Sequence, residues 1–275
     1  MRYLTTLTIA GSDSSGGAGI QADIKTMSAL GCYAASVITS VTAQNTCGVR
    51  CIHDVPPEVV ASQIVAVMDD IQPKAVKIGM MNATEIIHAV ADELEGKDGI
   101  ELVVDPVMVA TSGDRLMKKD ALSVFCLRLL PMATLLTPNL PEAELLADMT
   151  IHDERDVIEA GKRILQQGCK AVLIKGGHLI GNEKNDTLIT TNGNSLVSQV
   201  FSARSQQTKN THGTGCTLSA AITAFLAMGK SLEEAVGCAK NYVTSAIEAG
   251  CRIEIGRGCG PVNHFFQPKK LLILP

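Results

Sequence analysis

Leu4-Thr5-Thr6-Leu7-Thr8-Ile9-Ala10 runs into Gly11-Ser12-Asp13-Ser14-Ser15-Gly16-Gly17-Ala18-Gly19 and then Ile20-Gln21-Ala22-Asp23. Within this stretch the chain passes from a β-rich apolar run through a glycine-rich turn into a helical pattern. Residues 4–10 read as a buried strand, with a helix from about Ile20. A strand followed at once by a helix is the unit of a parallel sheet, because a parallel neighbour can be reached only by a crossover connection.

The unit repeats along the chain. Runs at 34–41, 75–78, 102–104 and 134–136 precede helical patterns at 58–70, 84–94, about 120–130 and 141–148, and a helix over 153–167 leads to a strand at 171–174. The strands are nearly continuous in Val, Ile, Leu and Ala, as strands covered on both faces must be. The expected fold is therefore α/β, with a mostly parallel central sheet and helices on both faces. Runs at 187–191 and 195–200 flank Asn192-Gly193-Asn194, a hairpin signal. Two helices, at about 215–228 and 231–249, finish the core. No composition shift or linker divides the chain, so 1–275 is read as a single domain. The Gly- and Pro-containing tail over 256–275 ends in Leu271-Leu272-Ile273-Leu274, which suits either docking on the body or an oligomer contact.

Composition narrows the function. The 275 residues are 46% hydrophobic but 3% aromatic, with no tryptophan, and the formal net charge is −4. Basic residues form no stripe, so nucleic acid is not an expected partner. The nine cysteines are scattered without a C-x-x-C pair, which supports neither a zinc ribbon nor a thioredoxin motif. Met1 to Ala10 reads as a strand rather than a signal peptide, and the apolar helix over 218–228 is too short for a membrane span. A reduced, cytoplasmic protein with no membrane partner is expected, and no fused domain after the tail.

Two nucleotide motifs are tested and fail. Gly17-Ala18-Gly19-Ile20-Gln21-Ala22 fits G-x-G-x-x-A, but the second strand offers no acidic residue for a ribose. Gly229-Lys230-Ser231 ends like a P-loop, but Ala224 stands where that loop needs glycine and a helix precedes it.

Thr211-His212-Gly213-Thr214-Gly215-Cys216-Thr217 carries the strongest chemical signal. Two glycines among small hydroxyl residues open a long helix, whose first amides and positive dipole end face an anion. Cys216, at the helix start, is expected to have a lowered thiol pKa. Gln44 follows the second strand at the sheet's carboxyl edge, and its amide can pair with an amino group beside a ring nitrogen. Asp23 lies about one turn into the first helix. Asp105 and Glu142 suit a hard divalent cation on phosphate, and prolines on both sides of Asn139 fix it at the same rim. Lys175 ends a further strand before Gly176-Gly177-His178, where it would neutralise a polyphosphate. His178 and His212 are candidate bases, but no Ser-His-Asp order accompanies them.

Taken together, residues 10–23, Val41-Thr42-Ala43-Gln44-Asn45-Thr46, Asp105-Pro106-Val107-Met108, Thr137-Pro138-Asn139, Lys175-Gly176-Gly177-His178 and the 211–217 turn span nearly the whole chain. The set resembles the ribokinase-like superfamily, and within it the hydroxymethylpyrimidine/phosphomethylpyrimidine kinases of thiamin biosynthesis. The resemblance implies phosphorylation of 4-amino-5-hydroxymethyl-2-methylpyrimidine by ATP with Mg2+, then of its monophosphate to the pyrophosphate. It implies substrate contacts at Gly11, Asp23, Gln44, Met80 and Val107, and an anion hole of Gly213, Thr214, Gly215 and Cys216. Nucleotide contacts are implied at Asn139, Lys175 and Thr211, magnesium near Glu142 and Asp105, and catalytic roles for Cys216 and Lys175. A homodimer is the common state of the superfamily. Where many of its members carry an aspartate base at the end of the anion turn, this chain has Cys216, and a mostly neutral thiol would repel an incoming monophosphate less than a carboxylate. A pyridoxal kinase, alone or as a second activity, and a non-catalytic pyrimidine-binding relative are the alternatives.

Overall fold

The computed structural model describes residues 1–97, 99–108, 117, 120–176, 183–193 and 195–274. In chain order its elements are β1 (Arg2–Tyr3), β2 (Thr5–Asp13), α1 (Gly19–Ala29), β3 (Tyr33–Asn45), β4 (Gly48–Asp54), α2 (Pro57–Asp70), β5 (Ala75–Ile78), α3 (Thr84–Leu94), β6 (Glu101–Val104), α4 (Ala121–Arg128), β7 (Leu135–Leu136), α5 (Leu140–Ala147), α6 (Glu154–Leu165), β8 (Ala171–Lys175), β9 (Glu183–Asn192), β10 (Ser195–Arg204), α7 (Thr214–Ala227), α8 (Leu232–Gly250) and β11 (Ile273–Leu274). Nine of the strands form one sheet in the order β10-β9-β8-β7-β6-β5-β2-β3-β4. Six adjacent strands, β3, β2, β5, β6, β7 and β8, run parallel; β4 and β9 run antiparallel to them at either side, and β10 pairs antiparallel with β9.

Side chains alternate across each strand, so the sheet feeds two cores. Leu7, Ile9, Val76, Ile78 and Val104 pack on one face with residues of α2 to α6. Val103, Leu135 and Leu173 face α1, α7 and α8. The ends of β2, β3, β5, β6, β7 and β8 meet at one carboxyl edge, where open α/β sheets bind ligands.

The structure differs from the sequence reading at the edges. β3 extends to Asn45 and turns through Thr46 and Cys47 into β4, which the reading missed because its Val49-Arg50-Cys51-Ile52 core is largely exposed and lacks a buried alternation. Glu183–Asn192 form β9, longer at its start than the run at 187–191 suggests, and Asp186 pairs in register with Lys175; Asn194 of the hairpin signal lies outside the described residues. The tail docks on the body: β11 pairs with β1, and Leu272 exchanges backbone hydrogen bonds with Leu4 and Gly31. Among the described residues no helix is long and apolar enough to cross a membrane.

Candidate active site

A cavity of about 770 Å3 runs along the carboxyl edge. Gly11, Gln44, Met80 and Val107 line it on the β2-β3 side, Lys184, Asp186 and Lys240 line it on the β9-α8 side, and the 211–216 turn lies between. Neighbouring strands stand about 4.8 Å apart, so the stretch of this edge from β3 to β8 spans about 24 Å before the trough continues past β9 and α8. That length suits a nucleotide and a small acceptor laid end to end.

The floor follows from strand alternation. Val76 and Ile78 belong to the α2–α6 core, so Lys77 between them must face α1 and α7, beside Thr8 and Val103 in the parallel register. Its ammonium lies 2.8 Å from Asp23 Oδ2, and both side chains are 0% exposed. The same oxygen accepts a hydrogen bond from Thr8 Oγ1 at 2.6 Å. Burial works against the charge on Lys77, but Asp23, Cys216 and Asp105 around it outweigh that and hold its pKa up. Lys77 lines the cavity and Asp23 does not. Asp23, expected as a substrate contact, thus lies one layer below as the counter-ion of Lys77. The sequence reading passed over Lys77; its signal was a lone cation inside the apolar run Ala75-Val76-Lys77-Ile78.

The anion turn is held by backbone geometry. Gly213 is the N-cap of α7 at φ 76°, a left-handed conformation that glycine adopts without penalty. A Cβ there would overlap the carbonyl oxygen of Gly17, so the turn packs directly on the glycine loop after β2. Thr214 N–H and Oγ1 both donate to the Thr211 carbonyl, at 3.2 and 2.7 Å. Helix geometry leaves the next amides, of Gly215 and Cys216, without an intrahelical acceptor, and they lie at the positive end of α7. The Cys216 thiol corrects the expectation of a lowered pKa: burial pushes it up to about 11, with Asp23 and Asp105 adding to the rise and Lys77 opposing it. At that value the thiol is neutral at pH 7.

Lys175 stands over this turn, 3.4 Å from where a Gly215 Cβ would be. Its ammonium is 2.7 Å from Asp105 Oδ1, which also accepts from Thr137 Oγ1 at 3.1 Å, while Ser219 Oγ donates to Asp105 Oδ2 at 3.3 Å. Although burial disfavours both charges, each group stabilises the other, holding the Asp105 carboxyl low and the Lys175 ammonium high. Asp105, expected beside a cation, is therefore already committed as the counter-ion of Lys175. Asn139 and Glu142 form a capping box at the start of α5: the Asn139 side chain accepts from Glu142 N–H at 2.9 Å, and Glu142 Oε2 accepts from Asn139 N–H at 2.8 Å. Burial raises the pKa of Glu142, with Lys175 pulling against it. The Asn139 oxygen is thus spent on the helix cap, and its amide nitrogen remains the group to offer a nucleotide.

Gln44 and Met80 stand at the β3 side. Gln44 is half-buried, and its Oε1 accepts from Thr42 Oγ1 at 3.2 Å while its Nε2 lies 3.5 Å from His212 Nε2. His212 is not free to act as a general base in this arrangement, because Asp13 Oδ2 holds the same nitrogen at 2.8 Å. Asp13 also accepts from the amides of Ser15, Gly17 and Ala18, so one carboxylate shapes the glycine loop and fastens it to the anion turn. Gly177 and His178 lie outside the described residues. At the far end, Lys240 Nζ binds Asp186 Oδ2 at 2.7 Å, and Val243 and Ile247 of α8 give an apolar wall that the sequence reading did not assign.

A trough at the carboxyl edge of a mostly parallel sheet, with a helix-start anion turn at its middle and a lysine above it, defines a small-molecule kinase of the ribokinase-like class. The sequence matches the phosphomethylpyrimidine kinase family over residues 13–263. It is 54% identical over 262 residues to the hydroxymethylpyrimidine/phosphomethylpyrimidine kinase of Rhizobium meliloti, across 95% of this chain and 97% of that protein. Among solved structures, phosphomethylpyrimidine kinase from Clostridium difficile is 47% identical with a TM-score of 0.79, over 89% of this chain and 99% of that one. Pyridoxal kinase from Staphylococcus aureus in complex with pyridoxal is 34% identical with a TM-score of 0.85, over 96% and 94%. The chain belongs to the phosphomethylpyrimidine kinase family.

Proposed function

We propose that this kinase transfers the γ-phosphoryl group of ATP to 4-amino-5-hydroxymethyl-2-methylpyrimidine and then to the resulting monophosphate, within thiamin biosynthesis. The observation that carries this reading is the trough itself: an amide-bearing end at Gln44, an anion turn at Gly213 to Cys216, and a cationic and apolar far end at Lys184, Lys240, Val243 and Ile247. The pyrimidine lies against Gly11, Gln44, Met80 and Val107, with Gln44 pairing to its amino-nitrogen edge. Its hydroxymethyl oxygen attacks the γ-phosphorus as the bond to the β-phosphate oxygen breaks. The amides of Gly215 and Cys216 and the Lys175 ammonium stabilise the transferring oxygens, which is most of what phosphoryl transfer asks of a protein.

The neutral Cys216 thiol leaves the turn without a fixed negative charge. Proton loss from the hydroxymethyl group then follows bond formation to phosphorus rather than preceding it, the proton passing to an oxygen of the transferred phosphoryl group and on to water, and the buried Lys77 ammonium beside Cys216 stabilises negative charge that builds there. Asp23 acts through Lys77 rather than on the substrate.

Among the described residues no three His, Cys, Asp or Glu side chains converge as a metal cage. That donor set fits a magnesium ion carried chiefly by nucleotide phosphates and water, with Glu142 as the nearby carboxylate. Bound there, the ion would neutralise charge on the β- and γ-phosphates. Thr211 and Asn139 would bind the nucleotide alongside Lys175. We read residues 1–275 as one kinase domain in the cytoplasm, with its nine cysteines unpaired in the reduced protein; a homodimer is to be tested by sedimentation.

Phosphorylation of pyridoxal is a second reading, favoured by the 0.85 TM-score to the pyridoxal complex. One experiment separates the two. The purified protein is incubated with MgATP and either hydroxymethylpyrimidine or pyridoxal, and products are followed by mass. Sequential mono- and diphosphorylated pyrimidine supports the main reading; pyridoxal phosphate alone refutes it.

A further inference from the structure

A second, smaller cavity of about 340 Å3 adjoins the active site, sharing Gln44 and His212 with it, and two exposed thiols, Cys47 and Cys259, line it. Cys47 forms the tip of the β3-β4 hairpin, and Cys259 belongs to the glycine-rich segment that follows α8. Two backbone contacts join them: Gly258 N–H donates to Thr46 Oγ1 at 3.1 Å and Cys259 N–H to the Thr46 carbonyl at 2.9 Å. A Cβ on Gly258 would overlap the Thr46 carbonyl, so glycine at 258 is what allows this approach. The Thr46 carbonyl and the Cys47 amide belong to one peptide unit, and bonded geometry therefore places the two cysteine Cα atoms no more than about 7 Å apart. That bound takes in the range of about 4.4–6.8 Å over which a disulfide joins two Cα atoms.

We propose that Cys47 and Cys259 are a reversible oxidation site, closing to a disulfide that pins the hairpin tip to the 256–261 segment at the rim of the pyrimidine end. The oxidant is a small disulfide such as glutathione disulfide. The Cys47 thiolate attacks it, forming a mixed disulfide and releasing one glutathione thiolate; Cys259 then attacks the Cys47 sulfur, releasing the second. Two protein thiols lose two protons and two electrons, and one glutathione disulfide becomes two glutathiones. Exposure of both residues and their place in the lining of one cavity separate them from buried Cys32 and Cys169. Exposed pairs of this kind in reducing compartments act as transient sensors rather than as staples.

The consequence for the site rests on the proposed pyrimidine position at Gln44. The 256–261 segment reaches His212 as well, whose N–H donates to the Gly260 carbonyl at 3.1 Å. On this proposal the pyrimidine enters by separation of the hairpin tip from this segment, and a disulfide would hold them together.

The reduced protein is equilibrated with glutathione disulfide, digested without reduction and mapped by mass. The expected result is one peptide pair linked through Cys47 and Cys259, with the chain lighter by about 2 Da, reversed by dithiothreitol and absent from Cys259→Ser. The oxidised enzyme should show an apparent KM for the pyrimidine raised by at least about threefold, with the KM for ATP unchanged and Cys259→Ser insensitive to the oxidant. A Cys47–Cys51 link, glutathione stably attached to both sulfurs, or an unaltered pyrimidine KM in fully linked protein would overturn the proposal. Should the reduced enzyme not phosphorylate the pyrimidine at all, the proposed function fails, while the peptide map still decides the disulfide.

Discussion

Asp13 Oδ2 and His212 Nε2 lie 2.8 Å apart, buried, and join the glycine loop after β2 to the anion turn before α7. Burial alone would raise the Asp13 carboxyl, but hydrogen bonds from His212 and Ser15 bring it down from 3.8 to about 2. A carboxylate whose pKa falls on folding stabilises the protein at every pH above its unfolded value. That contribution, about 2 kcal/mol here, is lost as pH drops from about 4 to about 2. His212→Ala should therefore raise the midpoint of acid unfolding, and should lower stability at pH 7 by about 1–2 kcal/mol. Urea unfolding across pH 2 to 7 reads both; an unchanged acid midpoint would remove His212 as the cause.

Lys77 and Asp23 form a charge pair with no solvent access. Removing one partner strands the other in the core, so Lys77→Met alone or Asp23→Leu alone should each cost about 3–5 kcal/mol, and the double variant distinctly less than their sum. Chemical denaturation of the four proteins closes the cycle. Additive losses would show that the two charges do not stabilise one another.

Gln44→Ala tests the pyrimidine end. An unpaired polar edge on a bound ring costs about 1–3 kcal/mol, which corresponds to a dissociation constant raised by about 5- to 150-fold. Calorimetric titration with hydroxymethylpyrimidine measures it directly, and unchanged affinity would place the ring elsewhere in the trough.

Most of the frame was legible because burial on both faces writes itself into composition: β5 and α3 fall where the apolar runs at 75–78 and 84–94 predict them. Short-range chemistry was legible too, as in the Asn139-Glu142 cap. What stayed hidden were pairings between distant residues. Lys77 finds Asp23 from 54 positions away and Asp13 finds His212 from 199, and no local pattern announces either. The lowered thiol pKa expected at Cys216 failed for the same reason: the helix start is a local signal, whereas the burial and the carboxylates of Asp23 and Asp105 that overrule it come from the assembled fold.

Lys175→Ala removes the cation above the anion turn and leaves Asp105 buried without its counter-ion. Phosphoryl transfer should fall by at least about a hundredfold, as when other electrostatic donors to a transition state are removed. Pyrimidine binding should change by less than about threefold, since Gln44 and its neighbours are untouched. Steady-state kinetics paired with pyrimidine titration separates the two, and the reverse pattern would refute the role assigned to Lys175.

Cys216→Asp asks why a thiol stands at the end of the anion turn. The second substrate already carries a phosphate, and it must bring that dianion up to the γ-phosphoryl group held at the same amides. A thiol held at about 11 presents no charge to it, whereas a carboxylate there would add one negative charge a few ångströms from the incoming phosphate. At a partly screened separation of this kind the repulsion is about 1–2 kcal/mol, or roughly tenfold in rate. The variant should therefore keep the first phosphorylation, or improve it through a stronger base, while kcat/KM for the monophosphate falls about tenfold relative to that for the alcohol. Lys77 beside the new carboxylate would soften the effect without cancelling it, because its charge is already shared with Asp23. Product ratios followed by mass over a time course give the comparison within one reaction. Equal retention of both steps would mean that charge at position 216 does not govern which substrate reaches the turn.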